Sequence, residues 1–80
     1  MFFVYIIKSS IDERLYKGLT TNMERRLKEH NSGKTKSTSP YKPWNLVYFE
    51  KFDSLEEARN REKYFKSGIG REYLKNKLNL

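Results

Sequence analysis

Four side chains in this 80-residue sequence could act together on a phosphate ester: Tyr5, Tyr16, Arg26 and Glu62. A phenol can relay a proton from an attacking water. Its ordinary pKa of about 10 makes it a weak base unless cations such as Lys17 and Arg26 lower that value. Tyrosines in strands also serve simply as packing. A guanidinium can grip a phosphate through paired hydrogen bonds and offset the charge that builds on it, or it can be one more solvated cation. Glu62 falls on a helical stripe otherwise made of Leu55, Ala58, Phe65 and Ile69. A carboxylate facing a core is costly unless it is paired or binds a cation. Two outcomes stay open for it. It can pair with Lys66 one turn later, or it can hold a divalent ion that keeps most of its water shell, as Mg2+ or Mn2+ does. His30, the sole histidine, suits the C-terminal end of a helix by the dipole argument, or it assists the chemistry.

Other chemistries are excluded. There is no cysteine, hence no disulfide scaffold, thiolate nucleophile or thiolate metal site. The stretch from Gly33 to Ser39 lacks the spacing of a nucleotide-binding phosphate loop. Charge points to the partner: 17 basic residues against 10 acidic ones leave a net +7, which on so short a chain suits a polyanion as well as solubility. Lys34, Lys36 and Lys42, with Tyr41 and Trp44, read as phosphate neutralisation beside stacking surfaces, or as an ordinary polar loop. Lys17 and Arg25 add cations near the reacting set. The apolar run 2–7 is too short for a membrane span or a signal segment, and no basic segment precedes it. The expectation is a soluble cytoplasmic protein, not associated with a membrane. Nothing in the sequence speaks to its oligomeric state.

The elements that must position these groups can be read in order. Phe2 to Ile7 is β-branched and aromatic on both parities, as in a strand covered on both faces. Arg14 to Leu19 alternates as a second strand. With the turn centred between Ser10 and Ile11, Tyr5 stands directly opposite Tyr16. Thr21 to Glu24 has capping-box spacing and opens a helix to about His30, stopped by Asn31-Ser32-Gly33. Lys34 to Trp44 is a loop in which Pro40 and Pro43 forbid regular structure. Leu46 to Phe52 is a third strand. A second capping box at Ser54 opens a helix broken by Gly68 and Gly70, and Arg71 to Leu80 makes a last one. The fold class is α/β of the α+β type: one domain over 1–80, a small three-stranded antiparallel sheet flanked by helices, order ββαβαα.

Val4-Tyr5-Ile6, Tyr16-Lys17-Gly18, Arg26 followed by Leu27-Lys28-Glu29-His30-Asn31, and Ala58-Arg59-Asn60-Arg61-Glu62 together resemble the GIY-YIG nuclease family, in particular its short stand-alone members. Lys66 and the run Gly70 to Leu74 are also similar to that subfamily. Phe3 and Val4 replace the glycine and isoleucine of the first signature, and Lys17 is the middle residue of the second. The resemblance implies a divalent-metal-dependent endonuclease acting on DNA. On this reading Glu62 holds one Mg2+ or Mn2+ and Tyr16 is the general base. Tyr5 orients the water or the phosphate, Arg26 stabilises the developing charge, and His30 is a possible assistant. The alternative is a catalytically weak or silent module that binds nucleic acid through the same basic face, and RNA remains open as the polymer. An asparagine found in several larger members has no clear counterpart here.

Overall fold

β1 (Phe2–Ser9) carries β-branched and aromatic residues at both parities, and both its faces are covered. It is the middle strand of an antiparallel three-stranded sheet of order β2-β1-β3, with β2 at Leu15–Thr20 and β3 at Trp44–Phe52. The computed structural model describes residues 1–79 and adds α1 (Met23–Asn31), α2 (Leu55–Lys66) and α3 (Gly68–Lys77). The order ββαβαα and the α+β class are those the sequence implies. Leu80, expected to close the last helix, lies outside the described residues.

Alternation along β1 divides the core in two. On one face Val4 and Ile6 pack against Ala58 and Phe65 of α2 and Leu74 of α3. Phe65 and Leu74 are fully buried, which contributes about 1.5–3 kcal/mol apiece. On the other face Tyr5 and Ile7 meet Trp44, with Tyr16 and the α1 residues Met23 and Leu27 packed around them. Tyr5 and Tyr16 therefore lie on the α1 face with Arg26 and His30, whereas Glu62 comes from α2, the helix packed on the other face.

The expected strand register is off by two residues. Tyr5 pairs with Gly18, and Tyr16 pairs with Ile7. The hairpin loop is longer than assumed because Glu13 adopts a left-handed conformation (φ 64°) and Asp12 to Arg14 belong to the turn. Ser9 Oγ holds that turn by accepting from the Ile11 and Asp12 amides. A shift of two preserves parity, so both tyrosines remain on one face. Their ring centroids are 6.4 Å apart.

Helix ends correct two further expectations and match a third. Asn22, not Thr21, caps α1, its side chain accepting from the Arg25 amide at 3.0 Å. Ser54 caps α2 as expected: its Oγ accepts from the Glu57 amide, the first bond of a capping box, and donates to the Glu57 carboxylate. α3 begins at Gly68 rather than Arg71, capped by Ser67, so neither glycine lies between helices. Gly70 lets α3 fold back against α2, since a Cβ there would come within 1.8 Å of the Tyr64 carbonyl oxygen. The apolar stripe of α2 consequently ends at Phe65, and Ile69 is 75% exposed. Pro40 sits in a short 3-10 turn, Ser39–Tyr41, inside the loop that was expected to be irregular throughout.

Arg61 locks α2 in place. Its guanidinium makes paired bonds to Glu50 of β3 at 2.8 and 3.1 Å and lies over the rings of Tyr64, Phe65 and Tyr73. That clamp fixes the helix one residue before Glu62.

Candidate active site

Tyr5 is the hub. Its hydroxyl, on a side chain only 1% exposed, lies 2.8 Å from His30 Nε2 and accepts from Arg26 Nε at 3.3 Å. His30 is fully buried, and its Nδ1 lies 2.8 Å from Thr38 Oγ1, which itself donates to the Thr35 carbonyl. One tautomer satisfies every group in this chain. The Thr38 proton goes to Thr35, so His30 carries its proton on Nδ1 and donates to Thr38. Its Nε2 is then free to accept from Tyr5, while the Tyr5 oxygen receives Arg26. Burial and the Arg26 cation hold His30 below its ordinary pKa, in keeping with a neutral ring.

This arrangement corrects the expectation that basic neighbours lower Tyr5. Burial dominates and raises its pKa, outweighing the Arg26 hydrogen bond and charge. Lys17 cannot help, because it pairs with Ile6 and so points to the opposite sheet face. Tyr5 is thus a protonated group that holds Arg26 in place. Glu29 holds the same guanidinium from the other side, at 2.9 Å, and its hydrogen bond is the main reason that Arg26 is pushed above its ordinary value.

Tyr16 stands at the edge of this network. Its ring packs edge-on against His30 and Trp44, and its hydroxyl makes no hydrogen bond among the described residues. The negative charges that Tyr5 and Tyr16 would carry both act on Arg26, so phenols and guanidinium share one local field. Glu62 belongs to that field as well, since its carboxylate contributes to the raised pKa of Tyr5. It is also tied to Lys66 at 3.2 Å, so one of the two outcomes left open by spacing is realised without excluding the other. Among the described residues, no group of three or more His, Cys, Asp or Glu side chains converges as a metal cage. A closed zinc-type site does not fit, whereas a lone carboxylate fits an ion that retains its waters.

The remaining expected contacts divide. Arg25, Lys34, Lys36 and Lys42 are exposed. Trp44 is not a stacking surface: it is 2% exposed, its indole nitrogen donates to the Thr38 carbonyl, and Asn31 pairs with its backbone through both amide atoms. The Tyr41 ring is already covered by Arg14, whose guanidinium lies 3.5 Å from the centroid. Thr38 and Glu29 were missed. Glu29 was findable, three residues after Arg26 on the same helix face, whereas nothing local marks Thr38 as a tether for His30.

The profile of the GIY-YIG catalytic domain matches residues 1–79. The chain belongs to the GIY-YIG family. A UPF0213 protein of Clostridium perfringens is 49% identical over 67 residues, which covers 82% of this chain and 71% of the relative. One from Staphylococcus haemolyticus is 45% identical over 74 residues, 91% of this chain and 89% of the relative. The solution NMR structure of a UPF0213 protein from Bacillus halodurans superimposes with a TM-score of 0.56 at 40% identity, covering 92% of this chain and 82% of that one. The chain thus carries the catalytic domain of a nuclease family. Within this GIY-YIG domain the second signature's glycine has a steric reason. A Cβ on Gly18 would stand 2.4 Å from both Cζ and Oη of Tyr5, so the first tyrosine lies across the second signature only because residue 18 has no side chain.

Proposed function

We propose that this GIY-YIG domain is a divalent-metal-dependent endonuclease that hydrolyses phosphodiester bonds in DNA. The observation that carries the reading is the packing of the two signature tyrosines side by side, with the Arg26 guanidinium bonded to the Tyr5 hydroxyl, in a chain that the family's catalytic domain matches over residues 1–79. Glu62 would hold one Mg2+ or Mn2+, which supplies Lewis-acid polarisation of the phosphate when bound. Tyr16, the phenol with an unengaged hydroxyl, is the general base in its phenolate form: a water oxygen attacks phosphorus, the proton of that water passes to the phenolate oxygen to give the phenol, and the bond to the leaving oxygen breaks, that oxygen taking a proton from solvent. Arg26, kept charged and oriented by Glu29 and Tyr5, faces the charge that accumulates on the phosphate. Tyr5 and His30 act by orientation, since the Tyr5 proton is committed to His30 and its oxygen to Arg26. The net charge of +7 and the exposed Arg25, Lys34, Lys36 and Lys42 support a polyanionic substrate.

A nicking assay on supercoiled DNA with Mn2+ or Mg2+ tests this. Wild type should nick, chelation should stop it, and Glu62→Ala and Tyr16→Phe should each abolish it. Nicking that survives both substitutions contradicts the mechanism. The Lys66–Glu62 ion pair favours one second reading, a silent nucleic-acid-binding module in which Glu62 serves only its salt bridge. Salt-sensitive DNA binding without cleavage in any divalent metal would select that reading. Parallel cleavage of matched DNA and RNA strands decides the polymer.

A further inference from the structure

β2 is an edge strand, and its two faces carry different chemistry. Tyr16 looks toward α1, whereas Leu15 and Lys17 look toward α3. On that second face a groove of about 250 Å³ is lined by Leu15, Lys17, Arg71, Leu74 and Lys75. Its floor is apolar and its walls hold three cations, none of which has an ion-pair partner among the described residues. The Lys17 ammonium is partly buried and faces the positive charges of Arg71 and Lys66. Burial first, then these like charges, lower its pKa. Cations drawn together with no carboxylate between them are mutually destabilising, and an anion relieves that. Lys66 connects the groove to the reacting set, because its Nζ lies 3.2 Å from Glu62 while its charge acts on Lys17.

We infer that this groove is a second phosphate-binding subsite for a polynucleotide strand, so that the strand crosses the exposed edge of β2. One phosphate then lies at Tyr16, Arg26 and Glu62, and a neighbouring one lies between Lys17, Arg71 and Lys75. The inference takes the identity of the polyanion from the proposed function, and the position of the subsite from the groove. Leu15, half-buried at the mouth of the groove, offers apolar surface to the sugar between phosphates.

The test is binding of a labelled DNA duplex to the full chain in chelator, measured across a salt series. R71Q/K75Q should lower the salt slope by about two units, equivalent to about a tenfold smaller loss of affinity between 50 and 200 mM salt. R71K/K75R, which keeps both charges, should leave the slope unchanged and guards against misfolding as the cause. K51Q/K63Q removes the same charge outside the groove and should leave the slope near wild type. Inorganic phosphate or a mononucleotide at matched ionic strength should compete only weakly, since the proposal requires a polymer spanning both sites. Equal slopes for R71Q/K75Q and K51Q/K63Q overturn the subsite, as does strong competition by free phosphate. The two readings fail separately. Normal cleavage with an unaltered slope removes the groove and keeps the nuclease. A slope that responds as predicted without cleavage in any metal keeps the groove and removes the nuclease.

Discussion

Gly18→Ala tests whether the second signature glycine exists to receive the Tyr5 ring. Among the described residues Gly33 is the one glycine with a positive φ, so backbone freedom is not the reason at position 18. The new methyl would meet Tyr5 Cζ and Oη at 2.4 Å and Cε1 at 2.8 Å, against an ordinary contact beginning at 3.4 Å. The ring must move by roughly 1 Å, which overpacking series put at about 1–3 kcal/mol. A shift of that size takes the Tyr5 hydroxyl from 2.8 Å to beyond hydrogen-bond range of His30 and loosens Arg26. A buried hydroxyl without its partner costs a further ~1–3 kcal/mol, so the total loss should be about 2–6 kcal/mol. Urea unfolding followed through Trp44, the sole and buried tryptophan, reads this directly. Without the ring the sign reverses. In a Tyr5→Leu background, Gly18→Ala should be neutral or stabilising by ~0.5–1 kcal/mol, as expected for alanine replacing glycine inside a strand. The cycle should therefore show a coupling above about 1 kcal/mol. A loss of the same size in both backgrounds would refute the reasoning and place the cost elsewhere in β2.

Three other outcomes follow from the same geometry. His30 is held below its ordinary 6.5, so the unfolded chain binds its proton more readily. Stability should fall as pH drops through about 6.5 toward the lower folded-state value, with this residue contributing at most ~1.4 kcal/mol per pH unit. His30→Gln should remove that component from urea midpoints measured across the same range. Arg61→Met should lower stability by about 1.5–3 kcal/mol in thermal or urea unfolding, because it leaves Glu50 without its paired donors. Replacing Lys34, Lys36 and Lys42 together with Gln should reduce the salt slope of DNA binding by about two to three units, with single-turnover cleavage at saturating DNA nearly intact. An unchanged slope would mean that this loop is only solvated.

Local patterns that constrain one another were legible. β1 had to be a central strand because both its parities are apolar. The tyrosines had to share a face, since that conclusion needs parity and not the correct register. Glu62 stood out because a carboxylate interrupts the stripe from Ala58 to Phe65. What the sequence concealed depends on tertiary contact. The register turned on Glu13 adopting a left-handed conformation, which its residue type does not announce. Trp44 looked like a surface aromatic in a polar loop, yet Asn31 and Thr38 draw it into the core. Lys17 sits beside Tyr16 in sequence, but alternation sends it to the other face, where its partners come from α3. The tether of His30 to Thr38 spans a loop and has no periodic signal.

The central claim is that Tyr5, Tyr16, Arg26 and Glu62 form a reacting site and not merely a packed cluster. It is tested most directly by measuring binding and cleavage of the same DNA by the same preparations of wild type and Glu62→Ala. Glu62→Ala should bind as well as wild type, or more tightly because a negative charge is gone. Its single-turnover cleavage with Mg2+ or Mn2+ at saturating DNA should fall to background. Cleavage retained by Glu62→Ala, or lost only in proportion to binding, would contradict the account.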